Sequence, residues 1–165
     1  MPEDLRYTTF DTNFGWVAVL ASARGLLRII LPQDLLQDAR ELLGERINHA
    51  TWSPHDFEDL MGRLRSYFKG HRMDFPDKLD LSGTTTFQRK VWEATRLIPY
   101  GETRSYSWVA SQIGKPSAVR AVGQTLGRNP LPIIIPCHRV LGSDGKLCGF
   151  RGGLQMKRYL LSLEA

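Results

Sequence analysis

The spacing of apolar residues changes period near Pro32, and a polar stretch from Gly70 to Gly83 then divides the chain in two. Early on, apolar residues come in three short runs: Tyr7 to Phe10, Gly15-Trp16-Val17-Ala18-Val19-Leu20-Ala21, and Leu26 to Leu31. They are separated by Thr12-Asn13 and Ser22-Ala23-Arg24-Gly25, the signature of short strands in an antiparallel meander. After Pro32 the period lengthens. Leu35, Leu36, Ala39, Leu42, Leu43 and Ile47 recur at helical spacing, and Phe57, Leu60, Met61, Leu64, Tyr67 and Phe68 do so again. Ser53-Pro54-His55-Asp56 predicts the start of the second helix, with a side-chain cap ahead of a proline at the first helical position. The stretch Gly70 to Gly83, with Pro76 and several aspartates, reads as a linker with room for one short strand.

Beyond the linker the chain reads as helices with sharp stops. Thr85 to Gln88 has the capping-box pattern, followed by Phe87, Val91, Ala94 and Ile98 on one face, with Trp92 beside it and Pro99 as terminator. Next come a helix from about Ser105 to Ile113, a turn at Gly114-Lys115-Pro116, and a helix from about Ser117 to Leu126 closed by Gly127. Two short helices around a tight glycine-containing turn resemble a helix-turn-helix, a pattern shared with other α-rich domains. Leu131 to Ile135 reads as a short buried strand or extended segment ended by Pro136, and a last helix runs from about Leu154 to Leu163. The expected fold class is therefore α/β in two parts: a small antiparallel sheet with helices over 1–83, and a mostly helical domain with a helix-turn-helix over 84–165.

Charge follows the same division. Residues 1–86 hold ten Lys/Arg against thirteen Asp/Glu, a net of −3, and residues 87–165 hold twelve against four, a net of +8. An acidic front and a basic back fit a protein in which one domain meets a polyanion, although solubilising surface charge gives the same totals. At 165 residues and 42% hydrophobic the chain can bury one respectable core or two small ones. No apolar run approaches the roughly 20 residues needed to cross a bilayer, and Met1-Pro2-Glu3-Asp4 has neither a basic nor an apolar leader pattern. No membrane association is expected, and the location expected is cytoplasmic, or nuclear in a eukaryote. Cys137 and Cys148 are expected as thiols rather than a disulfide, and His49, His55, His71 and His138 are too scattered for a metal site.

The chemistry concentrates at one place. Pro136-Cys137-His138-Arg139-Val140 puts a thiol where a buried apolar segment must turn, next to an imidazole able to take its proton directly or through water. A lone buried cysteine is more often a small apolar filler, so this pair alone leaves both readings open.

Ile135-Pro136-Cys137-His138-Arg139-Val140 resembles the active-site signature of the O6-alkylguanine-DNA alkyltransferases, also called methylated-DNA:protein-cysteine methyltransferases. The likeness extends through Ile98-Pro99-Tyr100-Gly101, Thr103-Arg104-Ser105-Tyr106, Arg120-Ala121-Val122-Gly123, Asn129-Pro130 and Gly152-Gly153, and covers about residues 84 to 165 closely. The front half is similar only loosely. The resemblance implies a ribonuclease-H-like roll in front, a winged-helix-like domain behind, and direct-reversal DNA repair with no cofactor and no metal. The partner implied is double-stranded DNA containing O6-alkylguanine, met by a monomer.

The resemblance also implies roles. Cys137 is the alkyl acceptor, His138 the base acting through an ordered water, Glu164 its carboxylate partner, and Tyr106 the donor to the leaving guanine. Asn129 shapes the turn carrying the cysteine, while Pro132, Val140, Ser143, Phe150 and Gly152 line the guanine pocket; Phe150 stands where tyrosine is usual, so packing is expected there without the hydroxyl. Arg120 fills the hole left by the flipped base, with Ala118, Ala121 and Gly123 letting its helix sit deep in the minor groove. Arg128, Lys115 and Arg104 are the candidate phosphate contacts. Inactive relatives carry tryptophan at the cysteine position and regulatory ones add a zinc-cysteine domain in front; this chain has the cysteine and is expected to lack the extra domain. An S-alkyl cysteine is a thioether that water does not hydrolyse, so the implied reaction runs once. The same residues also admit two other readings: a lesion-binding module with a structural Cys137, and a cysteine hydrolase using Cys137, His138 and Glu164 with multiple turnover.

Overall fold

The three front runs form the strands β1 (Leu5–Thr12), β2 (Gly15–Ser22) and β3 (Gly25–Gln33), joined as an antiparallel meander. The structure, a computed structural model, describes residues 4–142, 144–145 and 153–165. It divides into two compact units, Met1–Leu81 and Ser82–Ala165. In the first turn Thr12 Oγ1 donates to the Gly15 carbonyl (2.8 Å) and accepts from the Phe14 amide (3.1 Å), fixing the hairpin register. Tyr7 then faces Leu20, and Phe10 faces Val17. Because successive side chains alternate, Leu5, Tyr7, Ala18, Leu20 and Ile30 share one face. They bury against Ala39 and Leu43 at helix α1 (Leu36–Leu42). On the opposite face lies Phe10, covered by the Arg65 guanidinium 5.3 Å from its ring centre. Arg65 belongs to helix α2 (Glu58–Phe68), whose Leu60, Leu64, Tyr67 and Phe68 are buried and whose last carbonyl accepts from Asn13 Nδ2 (3.2 Å).

Three details of this unit depart from expectation. The sheet is mixed rather than antiparallel, because β4 (Ala50–Trp52) pairs parallel with the outer edge of β1, giving the order β3-β2-β1-β4. Three residues carry no alternating pattern, and what recruits them is the row of backbone groups that an edge strand leaves to be paired. The first helix stops at Leu42, since Gly44 takes φ +83° and the chain continues as a 3-10 turn over Glu45–His49; Leu35, Leu36 and Leu42 stay exposed. Ser53 does not cap α2. Its hydroxyl bonds the Asp56 carboxylate, and a 3-10 turn, Pro54–Phe57, intervenes before Glu58.

The segment before the second unit is held down by pairing. Leu79 bridges Leu26, with the Leu26 amide donating to Lys78 (2.9 Å) and the Asp80 amide to Leu26 (2.8 Å). Arg63 grips Asp77 through both carboxylate oxygens (2.5 and 3.0 Å).

In the second unit, helix α3 (Thr86–Arg96) carries the capping box as its sequence predicts: Thr85 Oγ1 accepts from the Gln88 amide (3.1 Å) and Gln88 Oε1 from the Thr85 amide (3.0 Å). Val91, Trp92, Ala94 and Ile98 are buried, and Trp92 Nε1 donates to the Thr125 carbonyl (3.3 Å). Helices α4 (Tyr106–Gln112) and α5 (Val119–Gly127) are joined by a turn in which Gly114 has φ +75°. Two short parallel strands, β5 (Arg104–Ser105) and β6 (Val140–Leu141), pair Arg104 with Val140 and Ser105 with Leu141. Helix α6 (Leu154–Glu164) closes the unit.

Leu131 to Ile135 is neither strand nor extended segment. The Ile135 amide returns to the Leu131 carbonyl (2.9 Å), Pro132 bridges Ile135, and Ile133 sits at φ +76°. Apolarity there reflects burial, while the conformation is imposed by Asn129, whose side chain satisfies both the Leu131 amide and the Ile135 carbonyl. Among the described residues no helix is long and apolar enough to cross a membrane.

Gly25 generates a test of the first unit. It has φ +149°, and a Cβ on it would lie 2.5 Å from the Lys78 carbonyl oxygen. Gly25→Ala is expected to destabilise the protein by about 2 kcal/mol, from backbone strain and loss of the Leu26–Lys78 pairing, read as a lowered denaturant midpoint.

Candidate active site

Cys137 opens a single 3-10 turn, Cys137–Arg139, at the end of an uninterrupted buried stretch from Leu131 to Val140. The turn places three consecutive functional groups on a rigid mount. The Cys137 amide donates to the Ile135 carbonyl (2.7 Å), and the Arg139 amide to the Pro136 carbonyl (2.9 Å). Asn129 links the loop to the sulfur: its Nδ2 donates to the Ile135 carbonyl (2.8 Å) and to Cys137 Sγ (3.1 Å), while its Oδ1 accepts from the Leu131 amide (2.9 Å).

The thiol is 5% exposed. Burial pushes it up to about 11, with the Asn129 hydrogen bond and the Lys157 charge pulling the other way. At neutral pH the resting group is a thiol that needs a base.

His138 is fully buried, and its Nε2 lies 2.6 Å from Glu164 Oε2. Facing a carboxylate, Nε2 is assigned the proton, so the other ring nitrogen, Nδ1, is the acceptor of the neutral imidazole. Burial lowers the His138 pKa, and the charges of Arg139 and Lys157 act in the same direction; Glu164 opposes them. The ring is thus held in the form able to accept a proton.

Glu164 is the convergence point. Besides His138 it accepts from Arg139 Nε (2.8 Å, Oε1), Arg139 Nη2 (3.1 Å, Oε2) and the Gly101 amide (3.2 Å, Oε1). Arg139 Nη1 donates to the Ile98 carbonyl (2.8 Å), and the Tyr100 hydroxyl to the Leu163 carbonyl (3.3 Å). The Ile98-Pro99-Tyr100-Gly101 turn is therefore a socket for the end of α6. Gly101 is required in it, having φ +81° and lying where a Cβ would come within 3.2 Å of the Glu164 carbonyl oxygen.

Tyr106 arrives from another direction. Ser105 caps α4 by accepting from the Trp108 amide (3.0 Å), and the β5–β6 pairing ties that cap to the residues just after Arg139. The half-buried Tyr106 ring lies 5.9 Å from Lys157 Nζ, which donates to the Val140 carbonyl (2.8 Å). Its Cδ1 and Cε1 come within 3.9 Å of where a Cβ on Gly123 would stand.

Of the residues picked out in the sequence, Asn129 is hydrogen-bonded to Cys137 and His138 to Glu164, and Val140 and Pro132 are buried in the same loop. Arg120 and Ala121 are exposed on α5, Ala118 is its N-cap, and Arg128 its exposed C-cap. Arg104 is paired with Glu102 (2.9 Å), and Lys115 Nζ lies 5.7 Å from the Phe87 ring centre. Ser143, Phe150 and Gly152 lie outside the described residues, as does Cys148. Two site residues carried no role in the sequence reading, Arg139 and Lys157. Each had a signal: Arg139 is a charge inside an otherwise apolar run, and Lys157 shares the buried stripe of α6 with Leu160 and Glu164 at spacings of three and four.

Residues 86–165 match the family described as 6-O-methylguanine DNA methyltransferase, DNA binding domain. A methylated-DNA–protein-cysteine methyltransferase of Mycolicibacterium paratuberculosis is 52% identical over 160 residues, 97% of this chain and 92% of that protein. Among solved structures, the Mycobacterium tuberculosis O6-methylguanine methyltransferase superposes with a TM-score of 0.80 at 42% identity, covering 97% of this chain and 92% of that one. The Mycobacterium tuberculosis OGT in complex with DNA gives a TM-score of 0.81 at 43% identity, covering 96% and 92%. Identity at this level, over nearly the whole of both chains, means that this chain belongs to the methylated-DNA–protein-cysteine methyltransferase family.

Proposed function

We propose that this protein repairs O6-alkylguanine in duplex DNA by moving the alkyl group irreversibly onto Cys137, once per molecule. The observation that carries the reading is the pair of hydrogen bonds that poise the site, Asn129 to Cys137 Sγ and His138 to Glu164, in a chain whose relatives are named for this transfer. The Ser82–Ala165 unit, with its excess of positive charge, is the DNA-binding and acceptor domain, and the Met1–Leu81 unit supports it. At finer grain the front unit is read as a ribonuclease-H-like roll, and the back unit as winged-helix-like with α4 and α5 as its helix-turn-helix. The protein works as a cytoplasmic monomer.

The reading gives each residue a step. Flipping brings the alkylguanine to Cys137, and neutral His138 takes the thiol proton through a water at Nδ1, with Glu164 stabilising the resulting imidazolium. The thiolate attacks the alkyl carbon. A sulfur–carbon bond forms as the carbon–oxygen bond breaks, and the electron pair leaves on guanine. That anion is a poor leaving group unless protonated or hydrogen-bonded, which is the task of the Tyr106 hydroxyl; the proton held by His138 balances the exchange. The product is a thioether and does not turn over. Arg120 occupies the gap in the base stack, the small residues Ala118, Ala121 and Gly123 let α5 approach the minor groove, and Arg128, Lys115 and Arg104 meet phosphates.

Incubation with duplex carrying radiolabelled O6-methylguanine is expected to leave one methyl per protein, on the Cys137 peptide by mass spectrometry. Cys137→Ser should lose transfer entirely and keep its affinity for DNA. No label on the wild-type peptide would reduce the protein to a lesion-binding module, and repeated turnover would favour a hydrolase. Arg120→Ala is expected to slow repair of duplex about tenfold or more while changing reaction with free O6-alkylguanine less than about twofold, because unstacking costs a few kcal/mol only in the duplex. Equal loss on both substrates would reject Arg120 as the gap-filling residue.

A neutral His138 also predicts a pH dependence. Its folded pKa is lowered from the ordinary 6.5, so between the two values the unfolded chain binds more proton. Stability is therefore complete above about pH 6.5 and falls as pH drops below it. His138→Gln should flatten the slope of denaturant midpoint against pH between 7 and 5.

A further inference from the structure

We propose that Arg139 is the positioning residue of this site: by sharing the Glu164 carboxylate with His138, it aims that carboxylate at the imidazole while withholding part of its charge from the ring. The inference rests on the transfer reading above, since it explains how the base is kept ready to receive the Cys137 proton.

The geometry turns Arg139 onto Glu164. Its side chain is 10% exposed and turned inward, gripping both oxygens of Glu164 from Nε and Nη2 and the Ile98 carbonyl from Nη1, with the Tyr100 ring centre 5.7 Å from its guanidinium carbon. A planar fork held at three donors fixes the carboxylate plane, and a single ammonium would not. The fork reaches Oε2, the same oxygen that faces His138 Nε2. Arg139 is also the residue directly after His138, so any shift of the short Cys137–Arg139 turn moves base and clamp together.

The electrostatic consequence has a definite sign. Among the described residues, the charged and titratable groups that face the His138 ring or its partners include Glu164 and Lys157 from α6, Arg139 and Cys137 from its own turn, Tyr106 facing Lys157, and Tyr100 facing Arg139. Lys157 Nζ donates to the Val140 carbonyl (2.8 Å). If the guanidinium is removed, a buried carboxylate faces a neutral imidazole with one competitor fewer, and the pair draws a proton at higher pH. Whichever partner holds it, the pair then has no place for the thiol proton. Arg139 thus adds to burial in keeping the His138–Glu164 pair unprotonated at neutral pH, a role separate from holding the loop together.

The test compares single-turnover methyl transfer from methylated duplex against pH in the wild type, Arg139→Met and Arg139→Lys, together with the imidazole nitrogen chemical shifts of His138. In Arg139→Met the acidic limb of the rate profile should move up by about one pH unit or more, so that activity lost at neutral pH returns as pH rises. Arg139→Lys keeps the charge without the fork, and should hold the wild-type limb at a rate lowered about tenfold. A Met variant whose profile is lowered uniformly, with its acidic limb unmoved, would overturn the proposal and leave Arg139 a structural residue. Should Arg139→Met fail to fold, the decision passes to the nitrogen shifts: a neutral His138 ring at pH 7 in both wild type and Arg139→Lys is expected, and a charged ring in the wild type would overturn it. Failure of the transfer reading looks different, because wild-type protein would then take no methyl at any pH while the His138 shifts still answer for Arg139.

Discussion

A carboxylate buried at the end of a chain has to be satisfied from several directions at once, and the Glu164 carboxylate organises the second unit for that reason. Taking such a charge out of water costs several kcal/mol unless hydrogen bonds and an opposite charge replace the solvent. Here the replacements come from separate segments: the imidazole and guanidinium of the Cys137–Arg139 turn and the backbone amide of Gly101. Satisfying one group therefore docks α6, the turn after α3 and the loop bearing the thiol onto one another. Packing and electrostatics share this contact, because Glu164 and its partner Arg139 act, beside burial, on the His138 pKa in opposite directions.

A second constraint acts on the thiol from the opposite side. Asn129 closes the Leu131–Ile135 turn by bonding its backbone groups and donates the same amide nitrogen to the sulfur. The turn carries Ile133 at φ +76°, a conformation unfavourable for a β-branched residue by about 1–3 kcal/mol. That strain persists because the loop is buried throughout and cross-linked by Asn129, so the cysteine is presented in one geometry. Burial raises the thiol and depresses the imidazole, which places the proton on sulfur and the vacancy on nitrogen at rest. In the proposed mechanism, the proton transfer that precedes attack therefore needs no standing thiolate in a buried site.

Much of the architecture is legible in the sequence. Three strands, the capping box at Thr85 and Gln88, the paired helices around Gly114 and the last helix all announce themselves through local rules that act within a few residues. What escaped were features decided by distant partners. β4 exists because β1 offers an unpaired edge, Ser53 turns to Asp56 instead of capping α2, and Leu131 to Ile135 looks like a strand because burial and strand pairing leave the same apolar trace.

The chemistry divides along the same line. By itself the sequence determined which groups are present: a cysteine beside a histidine at the exit of an apolar run, a basic half-chain, and a motif resembling that used for alkyl transfer from DNA to cysteine. Those are matters of identity and short-range order, which neighbouring residues carry. Only the tertiary structure decided that Arg139 and Lys157 are inside, that Arg139 shares Glu164 with His138, and that Gly101 completes the cradle. Hydrogen bonds between residues 25 and 63 positions apart leave no periodic trace in the chain, because their partners are fixed by packing and by the need to satisfy buried charge rather than by local spacing.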